Sequence, residues 1–244
     1  MQIIEKFSRN YPIRSYECDK NGSLRLITLL NIFQDMADSH ANEMGLGYDF
    51  CRGKGLAWVG ANYRIKISRL PRWHETITIT TWPCEERRLG AIRDFKVEDE
   101  SGTEIITASS QWILIDFAKK RPVGLRENLP EYQIIPERAL EGDFDKLPDI
   151  TDPNFEAGFT VRYDDIDVNN HVNNAVYPLW ASESVNSAYR LEHTPAELEI
   201  AFKKEGHYGE KIKVLTDQQG NISYHTIRAE TDQRELARVK IIWK

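Results

Sequence analysis

Residues 13–22, IRSYECDKNG, align without a gap on residues 161–170, VRYDDIDVNN. Arg14 falls on Arg162, Asp19 on Asp167 and Asn21 on Asn169, each at an offset of 148. Farther along, WHETITI (73–79) falls on YGEKIKV (208–214) at an offset of 135, and ASSQWILI (108–115) falls roughly on ARVKIIW (237–243). The shrinking offsets mean that the second copy has shorter loops. A repeat on this scale implies one supersecondary unit present twice. Positions filled alike in both copies are read as architectural, and ionisable positions kept in one copy only are candidates for chemistry.

The pattern around the repeat gives the unit its form. In LRLITLLNIFQDMADSHANEMGLG, Leu26, Leu29, Leu30, Phe33, Ala37 and Ala41 recur at helical spacing, and Gly45 is placed to stop the helix. Four alternating runs follow, GLAWVGANYRIKIS, ETITITTWPCEE, GAIRDFKVEDESG and EIITASSQWILIDF, the last two joined by a Glu-Ser-Gly turn. One long helix followed by an antiparallel meander suggests an α+β unit with a sheet wrapped around the helix. Prolines 122, 130, 136, 148 and 153 then break the periodicity. A second cycle begins with TVRYDDIDVNNHV, continues in a helical run over about 174–191, and ends in strands around AELEIAFKK, EKIKVLTD, ISYHTIRAET and ELARVKIIWK. The expected organisation is an N-terminal domain over 1–121, a linker over 122–154 and a C-terminal domain over 155–244.

Composition narrows the function. The net charge is 32 − 38 = −6 with both signs interspersed, which argues against a nucleic-acid or membrane partner. The charged start MQIIEKFSRNYPIRSYECDK lacks the apolar core of a signal peptide, and the reading is a cytoplasmic protein. Three cysteines, Cys18, Cys51 and Cys84, form no C-x-x-C pair and predict reduced, mostly buried thiols rather than disulfides or a metal site.

The repeat then singles out DVNNHVNN, residues 167–174. Where the second copy has His171, the first has Ser23; where the second has Glu205, the first has Leu70. Asp167, Asn169 and His171 stand in a short stretch expected to enter a helix, whose free N–H groups favour a developing oxyanion. A carboxylate near a histidine can hold the ring, raise its basicity or itself take a proton from water. Asp167 and Asn169 recur as Asp19 and Asn21, so a turn or cap role competes with a chemical one. His40, His74, His193, His207 and His225 are read as structural or surface residues.

DVNNHVNNAVYPLWASESV, LEIAFKKEG, the opening IRSYECDKNGSLRLITLLNIFQDMADSHANEMGL and the strand blocks SRLPRWHETITITTW and IRDFKVEDESGTEIITASSQWILID resemble the acyl-acyl-carrier-protein thioesterases of plant plastids and their bacterial relatives. The resemblance implies a double hotdog fold and hydrolysis of a fatty acyl thioester on acyl carrier protein, with no cofactor and no metal. It implies that Asp167, Asn169 and His171 belong to the catalytic network and that Glu205 is its acidic partner. Many plant members carry a cysteine immediately after that glutamate. Here the residue is Gly206, so a cysteine nucleophile is not available there. The remaining roles fit water-based hydrolysis with Asn169 and a helix amide on the thioester oxygen, while a rival scheme makes Asp167 the nucleophile through an anhydride.

The half without the ionisable set is expected to hold the acyl chain against Leu26, Leu30 and Phe33. The partner is an acyl carrier protein with a phosphopantetheine-linked acyl chain; acyl-CoA hydrolysis and a non-catalytic acyl-binding protein are the alternatives. A monomer and a homodimer are both allowed.

Overall fold

The computed structural model describes residues 6–244. The first five residues, which begin both the charged N-terminal segment and the expected N-terminal domain, lie outside the described residues. Two compact units divide between Gly142 and Asp143.

The first unit contains β1 (Phe7–Pro12), a single helical turn at Ser15–Glu17, α1 (Leu26–Glu43), α2 (Tyr48–Gly53), β2 (Leu56–Ile67), β3 (Thr76–Arg87), β4 (Gly90–Glu98), β5 (Glu104–Asp116), the two-residue β6 (Arg121–Pro122) and α3 (Leu125–Asn128). Its long strands run antiparallel in the order β1-β3-β4-β5-β2. The apolar stripe of α1 buries Leu26, Leu29, Leu30, Phe33, Met36 and Ala37. Phe33 is wholly buried and stacks on Phe95 of β4, ring centroids 4.5 Å apart. A buried aromatic of this kind contributes about 3–5 kcal/mol to a core. The helix stops where Gly45 turns to φ +73°, a left-handed conformation that favours glycine, and its N–H reaches the Asn42 carbonyl.

The second unit repeats the plan with β7 (Phe155–Thr160), a helical turn at Tyr163–Asp165, α4 (Val176–Glu183), α5 (Ser187–Glu192), β8 (Pro195–Phe202), β9 (Lys211–Gln219), β10 (Ile222–Ala229) and β11 (Glu235–Trp243). Its strand order β7-β9-β10-β11-β8 is that of the first unit. Each unit is a hotdog: a five-stranded antiparallel sheet around a helix.

The single helix expected over 174–191 is two short ones. Ser184 donates its hydroxyl to the Ala181 carbonyl three residues back, and Asn186 accepts from the Ala188 and Tyr189 amides to cap a new helix. Side chains that bond their own backbone compete with a continuous helix.

The proline-rich stretch is packed onto the sheets. In the first unit the Trp82 indole donates to the Glu137 carbonyl at 2.8 Å, and the buried Asp94 carboxylate accepts from Arg138 Nε at 3.0 Å and the Ala139 amide at 2.8 Å. In the second, Arg238 donates to the Leu147 carbonyl at 2.7 Å, and the Ile150 amide donates to Thr226 Oγ1 at 2.9 Å. These bonds explain why Trp82 and Asp94, on a face the alternation leaves open, are buried. Removing one partner of a buried ion pair leaves an uncompensated charge. Arg138→Ala is therefore expected to destabilise the protein by about 3 kcal/mol or more in urea unfolding; a loss below about 1 kcal/mol, the scale of an exposed pair, would show that this packing does not depend on the Arg138–Asp94 pair.

Candidate active site

The DVNNHVNN segment folds as a tight loop. Ile166 and Val172 bridge its base, and the Asp167 amide donates to the His171 carbonyl at 2.9 Å. Asp167 Oδ1 accepts from the Asn169 amide at 2.8 Å and lies 3.5 Å from the His171 amide. Asn170 sits at φ +63°, a left-handed position that asparagine tolerates better than most residues. The first unit builds the same loop without the histidine: Asp19 Oδ1 accepts from the Asn21 and Ser23 amides at 2.8 and 3.0 Å, and Gly22 takes the left-handed position at φ +72°.

The helix does not begin at this loop. Helix α4 starts at Val176, and the amides before it are already bonded: Asn170 to the Asp167 carbonyl, Val172 to Gly206, Asn173 to Asp165, and Ala175 to Asn173 Oδ1. The expected cradle of helix N–H groups at Asp167–His171 is therefore replaced by a closed hairpin. Asn169 and Asn170 are the exposed polar side chains at the loop tip.

What the loop does supply is register. The Val172 amide donates to the Gly206 carbonyl at 2.9 Å, which sets the chain beyond β8 alongside the loop. One residue earlier on that segment, Glu205 Oε2 lies 3.2 Å from His171 Nε2. The two side chains remain 28% and 41% exposed, and a pair so open to solvent contributes only about 0–1 kcal/mol to stability. Stability is a poor reason for it to exist. The structure thus brings His171 and Glu205 into contact, holds Asp167 on the loop backbone and leaves Asn169 exposed beside them in sequence. Leu26, Leu30 and Phe33 lie in the first unit on the buried face of α1.

Two neighbours escaped the sequence reading. His207 packs edge-on against His171, centroids 5.3 Å apart. Its counterpart at offset 135 is Arg72, which bridges Ser23 in the first unit. The duplication marks His207 only weakly, since both residues are polar. Tyr177 is buried and accepts from the Gly206 amide at 3.2 Å through its hydroxyl, steadying the Glu205 segment from α4. Burial holds its phenol protonated far above the usual range.

A side chain at Gly206 would crowd its neighbours. A Cβ there would lie 2.9 Å from Val172 Cγ2 and 3.3 Å from the Tyr177 hydroxyl. The three cysteines are buried and unpaired. Burial raises the Cys51 thiol to about 11 and the Cys84 thiol to about 12, and pushes Cys18 up as well, so none is poised as a thiolate. Among the described residues no group of His, Cys, Asp or Glu could hold a metal ion, and no helix is long and apolar enough to cross a membrane.

Residues 4–132 match the acyl-ACP thioesterase N-terminal domain, and residues 149–244 match the acyl-ACP thioesterase C-terminal domain. The chain belongs to the acyl-ACP thioesterase family. It is 33% identical over 193 residues to the chloroplastic acyl-[acyl-carrier-protein] hydrolase FATB3 of Cuphea viscosissima, covering 73% of this chain and 47% of that one. It is 28% identical to a chloroplastic palmitoyl-acyl carrier protein thioesterase of Cuphea hookeriana, covering 98% and 62%. The chain thus spans about half to three-fifths of the length of these relatives. Two solved thioesterases share its fold. The 12:0-ACP thioesterase of Umbellularia californica superposes with a TM-score of 0.87 at 24% identity, over 100% of this chain and 98% of that one. The acyl-ACP thioesterase of Bacteroides thetaiotaomicron gives 0.83 at 23% identity, over 97% of each.

If Asp167 acts first by closing the loop, it is matched by Asp19. Asp167→Ala and Asp19→Ala should each cost about 1–2 kcal/mol in equilibrium unfolding, the scale of a lost side-chain cap. A cost at Asp19 with none at Asp167 would separate the two loops.

Proposed function

We propose that this chain hydrolyses the thioester of a fatty acyl chain carried by acyl carrier protein, releasing free fatty acid. The observation that carries the reading is the contact of His171 Nε2 with Glu205 at 3.2 Å, in the one copy of the repeat that has both residues. Membership of the family and the carrier-protein activities for which its relatives are named support the carrier-bound substrate.

In the proposed reaction a water held by the His171–Glu205 pair attacks the thioester carbon. Its proton passes to the pair. The carbonyl oxygen becomes an oxyanion, and the Asn169 side-chain amide donates to it in place of the helix amides that the loop has already used. Collapse of the tetrahedral intermediate breaks the C–S bond, the acid departs, and the proton returns to the phosphopantetheine sulfur. Asp167 keeps Asn169 and His171 in place through their amides; the anhydride scheme would instead require its carboxylate to leave that loop. The acyl chain is assigned to α1 in the first unit, with Leu26, Leu30 and Phe33 as its contacts.

His171→Ala, Asn169→Ala and Glu205→Gln should each lower turnover of acyl-acyl carrier protein by about a hundredfold or more, the range for a general base or an oxyanion donor. The triple Cys18→Ser, Cys51→Ser, Cys84→Ser protein should retain most of its activity once folded. Fatty acid release from a panel of carrier-protein and CoA thioesters measures both. A folded His171→Ala protein with near-normal turnover would remove the assignment, and a preference for CoA thioesters would move the substrate to the other carrier.

Substitutions of different size at Leu30 and Phe33 are expected to shift the preferred acyl length in the same panel. An unchanged length profile would place the acyl chain elsewhere.

A further inference from the structure

Inside the first unit a cation is buried with no carboxylate against it among the described residues. Arg93 on β4 is 8% exposed and shares the inward face with Phe95, two residues on. Its Nη1 donates to His40 Nδ1 at 2.9 Å and to Thr81 Oγ1 at 3.2 Å; among the described residues no bond leaves Nε or Nη2. Among the described residues, the neighbours that act on its charge are the Tyr63 and Tyr132 phenols and the Cys84 thiol, with no carboxylate. The nearest acid in sequence, Asp94, is taken by Arg138 and the Ala139 amide. Burial lowers Arg93 only to about 10, so it stays charged at neutral pH.

The histidine beside it completes an unusual count. Arginine only donates, so His40 Nδ1 must accept, and the ring proton of the neutral imidazole sits on Nε2. His40 is neutral because burial and Arg93 lower it to about 4. Its residue is 1% exposed, and Nε2 has no partner. A buried N–H without an acceptor and a buried guanidinium without a carboxylate are each costly, and both want an anionic oxygen. The other buried histidine of the chain shows the contrast: His225 is met by Thr216 and Ser184 at Nδ1 and by Ser223 at Nε2. Apolar rings surround the first pair, with Phe7 stacked on His40 at 5.4 Å and Phe33 on Phe95.

We propose that Arg93 and His40 form a binding site for a carboxylate borne on an apolar chain. The choice of a fatty carboxylate rests on the proposed hydrolysis, whose product is one, while the donor count stands without it. Such a carboxylate can be that of the released acid or a second carboxyl at the far end of an acyl group.

Calorimetric titration of the whole protein with dodecanoate, dodecanol and the monomethyl ester of dodecanedioic acid tests this without any turnover. The wild type should bind the carboxylates about tenfold or more tighter than the alcohol, as charge-assisted hydrogen bonds to a buried group supply. Arg93→Met should erase that preference, and Arg93→Lys should keep part of it. If the Met variant fails to fold, His40→Phe serves instead, since it removes the orphan N–H while keeping a ring, and should weaken dodecanoate by about threefold or more. Tighter binding of dodecanoate names the released acid as the source, and tighter binding of the half-ester names a distal carboxyl. Equal binding of acid and alcohol by the wild type, an acid preference that survives in Arg93→Met, or undiminished dodecanoate binding by His40→Phe would overturn the site.

Discussion

The Asp167 carboxylate, turned back onto the amides of its own loop, is the constraint on which the candidate site depends. It closes the turn that places Asn170 in its left-handed conformation and presents the Val172 amide to Gly206. That one backbone bond puts Glu205 beside His171. Ordering a residue costs about 1–2 kcal/mol of backbone entropy, so a half-exposed ion pair could not hold this loop by itself. The loop is held by backbone bonds, and the pair is placed by the loop.

The same closure at Asp19 shows that the fold needs the turn whether or not chemistry follows. This is why the residues were unequally legible in the sequence. His171 and Glu205 stood out because their counterparts Ser23 and Leu70 cannot do their work. His207 did not, because its counterpart Arg72 is also polar and the contrast is weak. Tyr177 was illegible for another reason: its hydroxyl matters only through the Gly206 amide, 29 residues away, and no local pattern encodes that bond.

The fold divides in the same way. Helix α1 and strands β2 to β5 follow their apolar periodicity closely, as do β8 to β11. Strand β1, FSRNYP, is short and mostly exposed, and only its pairing with β3 makes it a strand. The break between α4 and α5 depends on where the Ser184 hydroxyl bonds, and the packing of the proline-rich stretch depends on Trp82 and Asp94, more than 40 residues earlier. Periodicity reports burial along one element. It is silent on polar bonds between elements distant in sequence.

Polar bookkeeping around the two buried histidines, His40 and His225, separates them more sharply than conformation does. Around His225 in the second unit the count closes: each ring nitrogen has a hydroxyl partner, and Trp243 shares Ser223. A closed count rigidifies a core and leaves nothing for a ligand to satisfy. Around His40 the count stays open, with Arg93 two residues from Phe95 on β4 and His40 about two turns from Phe33 on α1. Stability alone would favour an apolar residue over an uncompensated buried guanidinium. Retention of the cation, with a neutral histidine oriented by it, is what a group kept for an incoming oxygen requires.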